Sequence, residues 1–88
     1  MSINVDLNGL RIFERNLSEL RRVISSQRAN FQSETDTIKR VWSDETYIRY
    51  RKSFDEMMRE IEGFERACDI HCDFLRRKYA AGIRVLRG

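Results

Sequence analysis

The hexapeptide Val41-Trp42-Ser43-Asp44-Glu45-Thr46 decides the fold, because it separates two long stretches that each carry a helical pattern of apolar residues. Ser43 is a favourable N-cap residue, and the two carboxylates that follow it suit the first turn of a helix. The basic pair at 39–40 suits the last turn of a preceding helix. We therefore predict that one helix ends and another begins here. A single continuous helix is the alternative, since the segment contains neither proline nor glycine.

The stretch before the hexapeptide carries an apolar stripe at heptad spacing. One heptad position is apolar throughout and holds Leu10, Leu17, Ile24, Phe31 and Ile38. The position three residues further on is apolar at its ends and polar in its middle, with Phe13, Leu20, Gln27, Glu34 and Val41. Such an alternation of three and four is typical of a helix that packs along a partner helix. With Asp6 or Asn8 as N-cap, we expect helix 1 at about residues 6–40.

The stretch after the hexapeptide carries a second stripe. Its first heptad row is Tyr47, Phe54, Ile61, Cys68, Leu75 and Gly82. The next row begins apolar and becomes polar along the chain: Tyr50, Met57, Phe64, His71, Lys78 and Val85. One position further round, Met58, Cys72, Tyr79 and Leu86 replace it, because a straight helix drifts against a strict seven-residue repeat. We expect helix 2 at about residues 44–85.

These patterns predict an all-α fold in one domain, 1–88, an antiparallel two-helix hairpin with its turn at 41–43. Two helices bury a single seam, which is a thin core for 88 residues. We therefore expect two hairpins to dimerise into a four-helix bundle; an isolated hairpin with a few exposed apolar residues is the alternative. The residues expected at the partner interface are Tyr47, Tyr50, Phe54, Ile70, Phe74 and Tyr79.

Composition narrows the class of protein. Hydrophobic residues make up 41% of the chain and charged residues 35%, with a net charge of only +3. A disordered tail would contain far fewer large apolar residues, so an ordered domain is expected. The densest basic cluster, around Arg76-Arg77-Lys78, also suits the end of a helix, and we do not expect nucleic acid as the main partner. No stretch is apolar enough for a membrane span, and the N-terminus lacks the pattern of a signal peptide. We expect a cytoplasmic protein that, if secreted, leaves without cleavage of a signal peptide.

The only clustered chemistry-bearing side chains are Cys68, His71 and Cys72. On a helix they lie close together, and with a fourth ligand they could bind zinc. Their spacing does not match a standard zinc or haem-attachment motif, and buried cysteine commonly packs as a small apolar residue. A redox or intermolecular disulfide is the other alternative. There is no phosphate-binding glycine loop and no triad around the single histidine. We predict a protein that is not an enzyme and has no metal or cofactor.

The turn and the residues after it resemble the WXG family of small helical hairpins associated with type VII (ESX) secretion. That family has tryptophan at the helix–helix turn and glycine two residues later, where this chain reads Trp42-Ser43-Asp44. Aromatic or apolar residues recur on helix 2 of the family, and here Tyr47, Tyr50 and Phe54 stand five, eight and twelve residues after the tryptophan. The family's C-terminal export motif places an acid four residues after a tyrosine, whereas Tyr79 is followed at that distance by Ile83.

The resemblance implies a non-enzymatic protein of a type VII secretion system. It would act as a dimeric secreted hairpin, pairing with itself or a homologous hairpin, or as a helical chaperone for a larger secreted toxin or effector. The turn tryptophan would then serve recognition. On its own it is expected to close the end of a hydrophobic core, and the two roles are compatible. Two alternatives remain: a basic helical adaptor for nucleic acid or an anionic surface, and a structural coiled coil unrelated to secretion.

Overall fold

The computed structural model describes residues 6–87 and has two helices in this range, α1 (Leu7–Ile38) and α2 (Glu45–Arg87). The helices pack against each other, which confirms the all-α helical hairpin. The molecule measures 65 × 19 × 14 Å. Since 43 residues of α-helix span about 65 Å, α2 alone accounts for the long dimension. The hairpin is therefore a layer two helices wide and one helix thick.

Local capping explains where each helix begins. The Asp6 side chain accepts a hydrogen bond from the Gly9 amide at 2.8 Å and caps α1. At the second helix, Asp44 Oδ1 accepts from the Tyr47 amide at 3.0 Å, so Asp44 is the N-cap of α2. Ser43 was the residue expected to cap this helix. Asp44 takes that role because its oxygen reaches the amide three residues ahead, the usual acceptor geometry of an N-cap.

The turn is tight and needs no glycine. The amides of Val41 and Trp42 both bond to the Ile38 carbonyl at 3.0 Å, which finishes α1 with a compact final turn. Within residues 6–87, no residue, glycine included, has a positive φ. The left-handed conformation that favours glycine is therefore not used at position 44. The chain can reverse direction with Asp44 in the place of the family's glycine.

The side of α2 that is buried against α1 consists of two rows of residues, which alternate along the helix at spacings of four and three. The row predicted as the main stripe contains the buried Tyr47, Phe54 and Cys68. The second row is the one towards which the predicted stripe drifts, and in it Met58, Glu65 and Cys72 are buried.

The companion rows predicted for both helices point outward instead. Tyr50, Met57 and Phe64 of α2 are all more than 40% exposed, as are Phe13 and Leu20 of α1. The expectation that these rows would line the seam between the helices is wrong. The i+3 and i+4 neighbours of a helical residue lie on the same side of the helix, so periodicity alone does not choose between them.

Candidate interaction surfaces

The tryptophan of the turn packs on the aromatic residues that follow it. Its ring lies 5.4 Å from Tyr47 in an edge-on arrangement and 5.6 Å from Tyr50. Tyr50 in turn stacks on Phe54 with 6.2 Å between ring centroids. The indole Nε1 donates a hydrogen bond of 2.7 Å to Asp44 Oδ1, the same oxygen that caps α2. Trp42 is thus fixed by the turn and remains only half-buried.

A buried carboxylate forms a polar cluster in the middle of the seam. Glu65 is only 3% exposed, and its carboxylate accepts hydrogen bonds from Ser25 Oγ at 2.6 Å, from Arg21 Nη1 at 2.8 Å and from Arg28 Nε. The hydrogen bonds from Arg28 and Ser25 lower the pKa of Glu65, against the desolvation that burial imposes. The carboxylate is therefore charged and fully partnered at neutral pH.

This cluster is not among the sites predicted above, although the sequence carries an indirect signal for it. Arg21, Ser25 and Arg28 stand four and three residues apart, which places all three on one side of α1. A stripe of polar residues at helical spacing is usually solvated. Only a buried acid on the partner helix reveals that this one faces inward.

Further ion pairs fix the register along both ends of the hairpin. Arg51 of α2 donates to Asp36 at 2.8 Å near the turn, and Arg76 donates to Glu14 at 2.7 Å near the other end. Arg21 also pairs with Asp69 at 3.0 Å. The Arg51 guanidinium lowers the pKa of Asp36, and Arg21 lowers that of Asp69. In each of these pairs one partner is more than half exposed, so we expect each pair to add register specificity more than stability.

One broad face of the hairpin is apolar. An open groove of about 370 Å³ runs between the helices on this face. Its apolar lining consists of Val23, Ile24, Phe31, Met57, Ile61 and Phe64. At helical spacing, Phe13 and Leu20 extend the face along α1, and Tyr50 extends it along α2. We call this surface the apolar face. Its three phenylalanines are each between 46% and 58% exposed. A contiguous exposed apolar patch is a candidate for an interaction surface.

The six residues expected at a partner interface lie in different parts of the hairpin. Tyr47 and Phe54 are 6% and 4% exposed inside the hairpin's own seam, so the prediction that they contact a partner is wrong for this fold. Tyr47 and Phe54 stand five and twelve residues after Trp42, and in the structure this spacing serves packing near the turn. Tyr50 lies on the apolar face, and its ring packs against Trp42 at an interplanar angle of 32°.

The remaining three lie in the C-terminal half of α2. Ile70 and Phe74 are about 70% exposed, on the side of α2 that faces away from α1. Tyr79 is half-buried, with the guanidinium of Arg11 5.9 Å above its ring. The cation–π contact joins the start of α1 to the end of α2.

The two thiols lie in the seam and His71 lies outside it. Cys68 and Cys72 are both buried and unpaired, and burial raises the pKa of Cys68. Cys72 Sγ lies 3.4 Å from Ser18 Oγ across the helix pair. His71 is exposed, and residues 6–87 hold no cluster of three potential metal ligands. Both thiols lie in the environment of small packed side chains.

Two further findings bear on the class of protein. Neither described helix is both long and apolar enough to cross a membrane. The chain matches no family model, no curated protein and no solved structure. The resemblance to the WXG family therefore rests on sequence features, chiefly the residues of the turn and of α2.

Proposed function

We propose that this chain is a non-enzymatic, WXG-like protein of a type VII (ESX) secretion system that acts by pairing its apolar face with another helical hairpin. The observation that carries the proposal is that face, with Phe31, Met57 and Phe64 around one groove. The Trp42 turn and the aromatic residues packed on it support the family part of the proposal.

The size of the hairpin face suits a stable helical interface. A surface of 65 by 19 Å projects to about 1,200 Å², and stable interfaces bury about 800 Å² on each partner. The hairpin is one helix thick, so a second hairpin laid on the apolar face would complete two layers around one core. A homologous hairpin or the helical region of a larger secreted effector could supply the same layer.

Charge favours one orientation when the partner is a second copy. Residues 6–24 and 66–87, which form the half of the hairpin farthest from the turn, carry ten basic and five acidic side chains, a net charge of +5. Residues 25–65, the half that contains the turn, carry seven basic and nine acidic side chains, a net charge of −2. Antiparallel stacking places each positive end over a negative end, whereas parallel stacking places like charges together. The antiparallel dimer is therefore the expected one.

Light scattering on the purified protein tests the assembly. We expect a dimer, and we expect the double variant Phe31→Ser/Phe64→Ser to be monomeric with its helix content largely kept, because both side chains are about half exposed in the hairpin. The matched control is Ile70→Ser/Phe74→Ser, which removes two exposed apolar side chains from the other side of α2 and should leave the dimer intact. A wild-type protein that is a stable, well-folded monomer contradicts pairing with itself.

The secretion part needs a separate test. Neighbouring genes for a secretion ATPase or a large toxin support it, and co-expression with that toxin shows whether the hairpin binds it. Because Tyr79 lacks the family's acid four residues later, a partner is expected to supply the export motif. Export of the chain by itself, in the absence of any partner, would contradict the chaperone form of the proposal.

A further inference from the structure

A second exposed surface lies on the opposite side of α2 from α1, and we call it the outer ridge. Its residues are spaced by four, four, three, four and three, which keeps them on one side of the helix: Arg66, Ile70, Phe74, Arg77, Ala81 and Arg84. Ile70 and Phe74 are 70% and 68% exposed, and the neighbouring Val85 is 80% exposed. Neither the seam nor the apolar face includes these side chains, so hairpin pairing through the apolar face leaves the outer ridge uncovered.

The charge around the outer ridge is strongly positive. Residues 66–87 contain six basic and two acidic side chains, a net charge of +4. Both acids are engaged, since Asp69 pairs with Arg21 at 3.0 Å and Asp73 pairs with Arg77. Within residues 6–87, no carboxylate lies at ion-pair distance from Arg66, Lys78 or Arg84. The large apolar side chains of the outer ridge are therefore bordered by basic side chains that have no carboxylate partner within residues 6–87.

We propose that the outer ridge binds the surface of an anionic phospholipid membrane, with the C-terminal half of α2 lying flat on it. Helices that lie in the membrane interface combine large apolar side chains with rows of Lys and Arg, and their binding depends on both contributions. Phe74 and Ile70 would enter the region between head groups and acyl chains. Arg66 and Arg84, which lie on the same side of the helix and have no carboxylate partner in the described range, would contact lipid phosphates. A nucleic acid would use the cations but would give outward-facing Phe74 and Ile70 no apolar environment, so the membrane accounts for more of the surface.

Co-sedimentation of the full-length protein with lipid vesicles tests this proposal. We expect binding to vesicles of phosphatidylcholine with about one third phosphatidylglycerol, weakening as salt rises, and little binding to pure phosphatidylcholine. The variant Arg66→Gln/Lys78→Gln/Arg84→Gln should lower the partition coefficient by about fivefold for each charge removed. Ile70→Ser/Phe74→Ser should lower it at least tenfold at unchanged charge.

The matched control removes three exposed cations from the half of the molecule that contains the turn, Arg40→Gln/Arg49→Gln/Lys52→Gln. This variant has the same net charge as the first and should retain most of the binding. Circular dichroism checks that each variant remains helical. Equal loss in both triple variants, equal binding to neutral vesicles, or anionic binding that is indifferent to Ile70→Ser/Phe74→Ser would each overturn the proposal. So would tighter binding to duplex DNA than to anionic vesicles. Since the outer ridge is separate from the apolar face, these results do not depend on dimerisation or secretion.

Discussion

Glu65 concentrates the polar interactions of the seam in one carboxylate. Replacement by Gln keeps the shape but removes the charge that Arg21 and Arg28 contact, so we expect a loss of about 1–3 kcal/mol in the free energy of unfolding. Because the pKa of Glu65 is lowered in the folded protein, its contribution is present above the unfolded pKa of about 4.3 and is lost as pH falls through the lower folded value. Chemical denaturation across pH 7 to 3 should therefore show a flatter acid profile for Glu65→Gln.

The control for this prediction is Glu62, which approaches the same Arg28 at 3.8 Å but is about half exposed. Glu62→Gln should change the free energy of unfolding by less than about 0.5 kcal/mol, as expected for an exposed ion pair. If both variants have equal effects, net charge accounts for the stability and the buried cluster does not.

Asp44 performs two functions at the turn with one oxygen. It caps α2 and holds the Trp42 indole, so Asp44→Ala should cost about 1 kcal/mol of stability and change the tryptophan fluorescence. Asp44→Gly, which would create the Trp-x-Gly spacing of the WXG family, should cost only a few tenths of a kcal/mol as a cap but change the fluorescence as much.

Ser43→Ala is the matched control, because Ser43 was the cap expected from the sequence and Asp44 occupies that role. We expect this variant to unfold at the same denaturant concentration as the wild type. A larger loss for Ser43→Ala than for Asp44→Ala would contradict the capping geometry.

The two glycines of α2, Gly63 and Gly82, differ in their surroundings. A Cβ at Gly63 would have only Arg66 Nη2 nearby, at 3.7 Å, so Gly63→Ala should gain about 0.5–1 kcal/mol from helix propensity. A Cβ at Gly82 would overlap a methyl group of Leu7, where α1 begins, so Gly82→Ala should lose much of that gain as Leu7 moves away. Thermal unfolding of the two variants compares them directly, and an equal gain at both sites would show that the helix ends are not in close contact.

How far the sequence predicts each helix depends on the kind of signal. The bounds of α1 and α2 lie within two residues of those expected from local signals such as caps and the Trp42 turn. The basic pair at 39–40, expected in the last turn of the first helix, instead lies just after Ile38. Which face of each helix is buried does not follow from local signals. Met57 and Met58 are adjacent and equally apolar, yet only Met58 is buried. Phe64 and Glu65 reverse the usual order altogether: the acid is buried and the phenylalanine exposed. Burial there depends on the arginines of α1, which lie about 40 residues away in the chain.

At the scale of the whole molecule, the two helices pair several charged side chains across the seam and leave much of their apolar surface exposed. Among residues 6–87, five apolar side chains and two polar ones are buried, and none of the large side chains is completely buried. Phe13, Leu20, Phe31, Met57 and Phe64 lie outside that set. This distribution is the reverse of what a self-sufficient small domain needs, and it is the physical reason to expect a second layer.

The orientation of that layer can be measured with one label for each chain. Ser43→Cys in a Cys68→Ala/Cys72→Ala background, whose fold we expect to persist, places a spin label at the turn. In the antiparallel dimer the two labels should be separated by nearly the 65 Å length of the hairpin, whereas a parallel dimer brings them within about its 19 Å width. Ser26→Cys in the same background is the control, because position 26 is near the middle of the hairpin and gives similar separations in either orientation. Pulsed electron spin resonance separates the two cases, and a short Ser43→Cys distance would contradict the pairing of the +5 and −2 halves.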